Sequence, residues 1–168
     1  MFANGTIRTN LGLLALRLGV GSMLMYGHGL GKLKSLFSEH PQFGDPIGLG
    51  TIPSLALITF AEFVGAILVI LGLFTRLGAL SVVIGFTVAV VAVHGHDPWF
   101  AQILRGSGGF PFSLSPAKEY ALLYLVPFGV IFVTGAGSIS FDCLIAKRSP
   151  KLGCILGQGA ACATESKA

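Results

Sequence analysis

Residues 51–93 read TIPSLALITFAEFVGAILVILGLFTRLGALSVVIGFTVAVVAV and contain only two charged residues, Glu62 and Arg76. An α-helix rises about 1.5 Å per residue, so about 20 mainly apolar residues cross the hydrocarbon layer of a bilayer. The stretch is long enough for two such helices, over residues 51–75 and 77–93. It therefore predicts a tight hairpin of two membrane-spanning helices that meet at Arg76.

Two further apolar segments extend this arrangement along the chain. They cover residues 11–31 and residues 120–141, and the second contains no charged residue. Inside the hydrocarbon layer the backbone can bond only to itself, so each span is expected to be a complete helix. The predicted fold class is all-α, an integral membrane four-helix bundle over residues 1–142, followed by a polar tail over residues 143–168.

The composition excludes a soluble domain. Of the 168 residues, 53% are hydrophobic and only 11% are charged, whereas about 25% are charged in a typical soluble domain. The basic residues lie at the chain ends and in the connections, without a basic stripe that alternates with aromatic residues. The expected partner is therefore the lipid bilayer and not a nucleic acid.

The distribution of lysine and arginine predicts the orientation of the chain. One side of the predicted bundle carries six of them and the other side carries four: Arg8, Arg76, Lys147, Arg148, Lys151 and Lys167 against Lys32, Lys34, Arg105 and Lys118. This bias favours both termini in the cytoplasm and the chain in a cytoplasmic (inner) membrane. The cysteines Cys143, Cys154 and Cys162 lie in the tail without metal-ligand spacing and are expected to be reduced and unpaired.

Arg17 and Glu62 are charges within predicted spans, where a charge costs several kcal/mol and usually finds a partner. Measured from the cytoplasmic end, Arg17 is expected about 9 Å deep, Glu62 about 20 Å and His28 about 26 Å. Either Arg17 or His28 is therefore a candidate partner of Glu62. The cluster is interpreted either as a pin that fixes helix register or as a polar pocket that binds a ligand or handles protons.

Two other motifs carry polar groups at the outer side. His28 and Lys32 are four residues apart and share a helix face, which fits a lysine reaching the interface, an anion site or a quinone-headgroup site. His94, His96 and Asp97 are weak metal-ligand candidates, because their spacing fixes no fourth ligand, and no metal is favoured. The sequence contains no self-contained catalytic motif. Redox chemistry would therefore need a borrowed cofactor.

Several short motifs, in their order and spacing, resemble the DoxX family of small bacterial and archaeal membrane proteins. They are Arg17 with Gly21, HGLGK at 28–32, FGDPIGL at 43–49, EFVG at 62–65, LGLFTR at 71–76 and GAGSISFD at 135–142. The resemblance covers roughly residues 8–142 and implies a four-helix membrane bundle. It makes the following the candidate site residues: Arg17, His28, Lys32, Glu62 and Arg76.

The last motif departs from the family pattern. Where the family usually has a basic residue between the glycine and the Ser-x-Asp ending, this chain has Ser138. A contact with an anionic group at that position is therefore in doubt. The glycines and Asp142 remain, so a turn that ends the fourth helix is still expected.

The resemblance also implies a function. The family takes its name from a subunit of an archaeal membrane complex that oxidises thiosulfate and passes electrons to quinone. It implies an accessory subunit of a membrane redox or respiratory complex, with quinone or sulfur compounds nearby, redox-protein partner subunits and no intrinsic cofactor. Two alternatives stay open: a small-molecule or proton-linked carrier that uses Glu62, and a structural or assembly protein. Homo-oligomer formation also stays open.

Overall fold

The chain is described by a computed structural model over residues 2–100, 103–108, 110–114 and 118–156, with side chains over 7–100, 118–149, 151–153, 155 and 156. Within these ranges it is helical apart from one antiparallel hairpin, formed by Ile103–Gly108 (β1) and Phe110–Leu114 (β2). The predicted helical fold class is confirmed for the described residues outside this hairpin; the prediction assigned no strand to this connection.

Four long helices and two short ones follow one another along the described residues. The long helices are α1 over residues 2–36, α2 over Thr51–Leu71, α3 over Thr75–Val93 and α4 over Lys118–Thr134. The short helices are Phe141–Arg148 (α5) and Pro150–Ile155 (α6). Three of the long helices contain one π-helical turn, at Met25–Gly29 in α1, Phe60–Gly65 in α2 and Ala89–Val93 in α3.

Within the described part of the chain, α2 and α3 are long and apolar enough to cross a membrane. They correspond to the stretch that predicted a membrane hairpin. The other two long helices are less suited by length or composition. Helix α1 contains the charged residues Arg8 and Arg17, and α4 is shorter, with 17 residues.

The core lies where the long helices meet and consists of interlocking aliphatic and aromatic side chains. Its buried members come from all four helices: Leu24, Ala66, Val69, Ala79, Val82, Phe86, Ala121, Phe128 and Ile131. Several of these are alanines, and small side chains let helix backbones approach closely. The four helices therefore pack as one unit in the described structure.

The outer faces of the helices are also apolar. Large exposed hydrophobic side chains recur at seven-residue spacing on α2 and α3 and at three- or four-residue spacing on α4: Leu57, Val64 and Leu71; Leu77, Ile84 and Val91; Leu123, Val126, Val130 and Val133. Positions seven apart share one helix face, so each helix presents a continuous apolar stripe outward. Contiguous apolar surface of this kind is typical of contact with lipid or with a partner.

Asp142 closes the tight turn between α2 and α3. Its carboxylate accepts hydrogen bonds from the amides of Phe74 and Thr75 at 2.7 and 2.9 Å, and its own amide donates to the carbonyl of Gly72. The carboxylate thus satisfies free amide groups at the start of α3, where a negative charge is favourable. The segment after α4 therefore holds the helical hairpin together.

Arg17 joins α1 to the same end of the bundle. Its side chain is 1% exposed, and its Nη2 donates to the carbonyl of Ile139 at 2.5 Å. The carboxylate of Asp142 attracts the guanidinium, which packs directly against Gly72. We call Arg17, Gly72, Ile139 and Asp142 the end clamp, because these residues tie α1, the α2–α3 turn and the chain after α4 together.

The predicted polar tail begins as structure and not as a loose segment. Helix α5 packs against α6, and Asp142, Cys143 and Ala146 of α5 are buried. The Ser140 hydroxyl accepts the amide of Cys143 at 3.1 Å, which caps the start of α5. Cys143 is disulfide-bonded, so the prediction of reduced, unpaired cysteines is wrong for this residue. The other two cysteines lie outside the described side chains.

We predict that Gly72→Ala destabilises the protein by about 1–3 kcal/mol, because Gly72 has φ +69° and a left-handed conformation strains other residues. An added Cβ would also overlap Nη1 of Arg17. Thermal unfolding in mild detergent measures the loss. The control is Gly19→Ala, where an added Cβ meets nothing within 4 Å; there helix propensity predicts a small gain. Equal unfolding temperatures for the two variants would contradict the end clamp.

Candidate functional site

A cavity of about 450 Å³ lies between the long helices at the end opposite the end clamp. Its walls are mostly apolar and come from α2, α3 and α4, including Ile58, Phe86, Ala89 and Ala121. The volume falls within the range of small-molecule sites, about 300–1,000 Å³. Polar side chains reach it from several parts of the chain.

An ion pair between α1 and α2 forms the polar part of the cavity. Lys32 Nζ donates to Glu62 Oε2 at 2.5 Å, and the two side chains are 23% and 5% exposed. Glu62 lies about 17 Å from the start of α2, well below the helix end. A carboxylate this deep requires a partner because an unpaired charge is strongly unfavourable there. Lys32 meets this requirement and keeps further N–H groups for a ligand.

His28 and Tyr124 complete the cluster. The two rings meet edge to face, with centroids 5.3 Å apart, and Tyr124 also stacks at 5.2 Å on Phe86. His28 shares a face of α1 with Lys32, and both residues line the cavity together with Glu62 and Tyr124. An ammonium, a carboxylate, an imidazole and a phenol therefore converge on one apolar chamber.

The three π-helical turns lie at the level of this cluster. His28 is in the turn of α1, Glu62 is in the turn of α2, and the third turn contains the cavity residues Ala89 and Val93. Such turns are rare and occur frequently at functional sites, because each shifts the side chains that follow it. Three of them around one cavity indicate that this end of the bundle is shaped for more than packing.

Gly29 allows α1 and α2 to meet at this point. A Cβ on Gly29 would lie 2.7 Å from the carbonyl oxygen of Glu62, closer than real contacts allow. The glycine therefore lets the two backbones touch beside the ion pair. Of the three glycines at residues 27, 29 and 31, Gly29 is the one at this contact with Glu62.

The connection between α1 and α2 covers the outer end of the cavity. Phe43, Pro46 and Ile47 line it from this side. The carboxylate of Asp45 accepts hydrogen bonds from the amides of Leu49 and Gly50 at 2.9 and 2.7 Å. It also accepts one from the Ser54 hydroxyl at 2.8 Å. These bonds fasten the connection to the start of α2.

The same hydrogen bonds act on the titration of Asp45. The bond from the Gly50 amide, followed by the bond from the Ser54 hydroxyl, holds the pKa of Asp45 below its ordinary value. A carboxylate whose folded pKa is depressed stabilises the fold above its unfolded pKa. This contribution is lost as the pH falls through the lower, folded pKa. The connection is therefore fastened at neutral pH.

Two of the weak metal-ligand candidates, His94 and Asp97, form a hydrogen-bonded pair. His94 Nδ1 lies 2.7 Å from Asp97 Oδ2, just after α3, and His94 lines the mouth of the cavity. Among the described residues, no group of three or more histidine, cysteine or acidic side chains is arranged to hold a metal. His96 is exposed beside the pair.

The structure divides the five predicted site residues between the two ends of the bundle. His28, Lys32 and Glu62 meet at the cavity. Arg17 belongs to the end clamp, and Glu62 forms its ion pair with Lys32, so neither of the two candidate partners, Arg17 and His28, is its partner in the ion pair. Arg76 also lies at the clamp end, where its Nη2 donates to the carbonyl of Val133 at 3.2 Å.

Two functional positions were missed by sequence reasoning. Tyr124 looked like one apolar-segment residue among many, and nothing in the sequence marked it. Asp45 lay inside a motif that carried the family resemblance, but its hydrogen bonds to the amides of Leu49 and Gly50, four and five residues on, match neither an Asx-turn nor a helix cap.

These features define the class of protein. The structure combines helices of membrane length, apolar outer faces and a polar cluster buried at one end, as expected for a helical membrane protein. The DoxX family model matches residues 12–95, which is half of the chain. The chain therefore belongs to the DoxX family, and the resemblance found in its motifs is confirmed.

Other comparisons add little about activity. A protein from Haemophilus influenzae described as uncharacterized is 33% identical over 90 residues, which is 54% of this chain. The match spans 60% of that relative's length. No solved structure matches the chain.

We predict that Asp45→Asn loosens the connection over the cavity, because a neutral amide accepts weaker hydrogen bonds from Leu49, Gly50 and Ser54. Hydrogen–deuterium exchange near neutral pH should show faster exchange at the amides of Leu49 and Gly50. Glu39→Gln removes an exposed charge from the same connection and should leave these rates unchanged. Unchanged exchange in Asp45→Asn would show that the carboxylate does not fasten this segment.

Proposed function

We propose that this protein is an accessory subunit of a membrane redox or respiratory complex and that its cavity binds the headgroup of a quinone. The observation that carries the proposal is the Lys32–Glu62 pair, which lines an otherwise apolar chamber together with His28 and Tyr124. The proposal gives the chain a binding role and assigns the electron-carrying cofactor to a partner subunit.

The polar groups suit a quinone headgroup. Its two carbonyl oxygens accept hydrogen bonds, and Lys32 and Tyr124 carry N–H and O–H donors. Its reduction to a quinol takes up two electrons and two protons. Glu62 and His28 are groups that can hold or release a proton beside the ring. The apolar walls suit the ring faces, so the donor set and the cavity fit this ligand.

We also propose that all four long helices cross the bacterial inner membrane and that both termini are cytoplasmic. The six-to-four distribution of basic residues supports this orientation. The bias becomes larger when Lys32 is left out of the outer count, because its charge is paired with that of Glu62 inside the cavity. The disulfide at Cys143 weighs against it, since stable disulfides are uncommon in the cytoplasm.

For the binding site, we expect Glu62→Gln to weaken binding of a tail-free benzoquinone at least tenfold, because the variant removes the anion that orients Lys32. Isothermal titration calorimetry in mild detergent measures the affinity. Lys34→Gln is the matched control: it removes an exposed charge from the same helix, two residues from Lys32.

The outcomes separate binding from structure. Loss of affinity in Glu62→Gln with an unchanged unfolding temperature supports the site. No binding by the wild type, or equal binding by Glu62→Gln, overturns the proposal. A large fall in unfolding temperature without any quinone binding by the wild type would instead favour a purely structural ion pair.

For the orientation, we expect a green fluorescent protein fused after residue 168 to fluoresce and an alkaline phosphatase fused there to be inactive, because only the first folds in the cytoplasm. The paired activities in whole cells are the measurement. The reverse pattern would place the termini on the oxidising side, in agreement with the disulfide.

A further inference from the structure

Among the large apolar side chains that line the cavity and are also exposed, three lie inside α2 and α3, away from the helix ends. Leu57 and Phe60 of α2 are 57% and 52% exposed, and Ile84 of α3 is 57% exposed. All three also line the cavity. The wall between α2 and α3 is therefore open at this level. We call Leu57, Phe60 and Ile84 the rim of this opening.

The gap between α2 and α3 has a narrow floor of small residues. Gly85 of α3 faces Ala61 of α2, and a Cβ on Gly85 would lie 3.6 Å from that of Ala61 and 3.0 Å from Cδ1 of Ile58. Ser81 also lines the cavity here. Because Gly85, Ala61 and Ser81 are small, the two helices can touch and still leave a slot between the large residues of the rim.

The depth of the rim decides what reaches it. Leu57 lies about 9 Å and Phe60 about 14 Å from the start of α2, and Ile84 lies about 14 Å from the end of α3. A hydrocarbon layer about 30 Å thick places these residues beside acyl chains and not beside headgroups. Both helices are the ones of membrane length. A ligand passing the rim therefore comes from the lipid.

The polar and apolar parts of the cavity form one continuous space. The Lys32–Glu62 pair and the rim both line it. A molecule with a polar head on the ion pair would extend an apolar chain past Leu57, Phe60 and Ile84.

We propose that the cavity is filled sideways from the bilayer, through the opening between α2 and α3, by a lipid-soluble molecule with one extended apolar chain. The inference rests on the proposed headgroup site and adds the route and the chain to it. The chain lies between Leu57, Phe60 and Ile84, while the head lies against Lys32 and Glu62.

The test compares two probes that share one benzoquinone head, one without a tail and one with a long isoprenoid tail. Ile84→Trp narrows the slot and should weaken binding of the long-tailed probe about tenfold, with the tail-free probe unchanged. Leu77→Trp is the matched control, since Leu77 is 63% exposed on the same face of α3, one heptad away, and does not line the cavity.

A second pair of variants protects the test if Ile84→Trp does not fold. Leu57→Trp narrows the slot from α2, and Val64→Trp is its control one heptad away. Titration calorimetry in the same detergent measures all affinities.

Each outcome has a separate meaning. If both narrowed variants bind the long-tailed probe like the wild type, while the tail-free probe still binds, the opening is wrong and the headgroup site stands. Equal weakening of both probes also overturns the opening, because it indicates a disturbed head cavity. If the tail-free probe does not bind the wild type, the headgroup site itself is wrong.

Discussion

The buried carboxylate of Glu62 requires a positively charged partner, and this requirement organises the cavity end of the protein. Glu62 is 4% exposed in the middle of an otherwise apolar helix, and a charge in that environment is unfavourable unless a partner neutralises it. Lys32 is that partner, and it reaches Glu62 only because α1 and α2 touch at Gly29. The π-helical turns lie at the same level, so the helix geometry and the ion pair depend on each other. The cavity is the space that remains where the other helices cannot close over this pair.

The two ends of the bundle use polar groups in different ways. In the end clamp, Asp142 and Arg17 hydrogen-bond to backbone groups and hold three chain segments together. At the cavity, polar side chains pair with one another and line open space. The outer surface is apolar along most of the length between them, so polar groups gather inside the bundle, as the lipid environment requires. The end clamp and the polar cluster at the cavity are thereby separated by the length of the helices, about 22 Å along α1 between Arg17 and Lys32.

The family assignment and the geometry support different parts of the functional picture. Membership of the DoxX family establishes a membrane protein, and the matched region, residues 12–95, contains His28, Lys32 and Glu62. It leaves out Tyr124 and Asp142, which are supplied by the later part of the chain. The cavity is therefore completed by a helix outside the matched region.

The sequence by itself determined the apolar helices, the membrane environment and the family, because hydrophobic length and short motifs are local properties of the chain. It also singled out His28, Lys32 and Glu62, since charged or titratable residues inside apolar segments are conspicuous. Only the tertiary structure decided which charges meet. Counting depth from assumed helix ends left Arg17 and His28 as the candidate partners of Glu62, yet Arg17 lies beside Gly72 and Glu62 pairs with Lys32. Such pairings, like the place of Tyr124, depend on how helices rotate and cross, and no local period in the sequence specifies that.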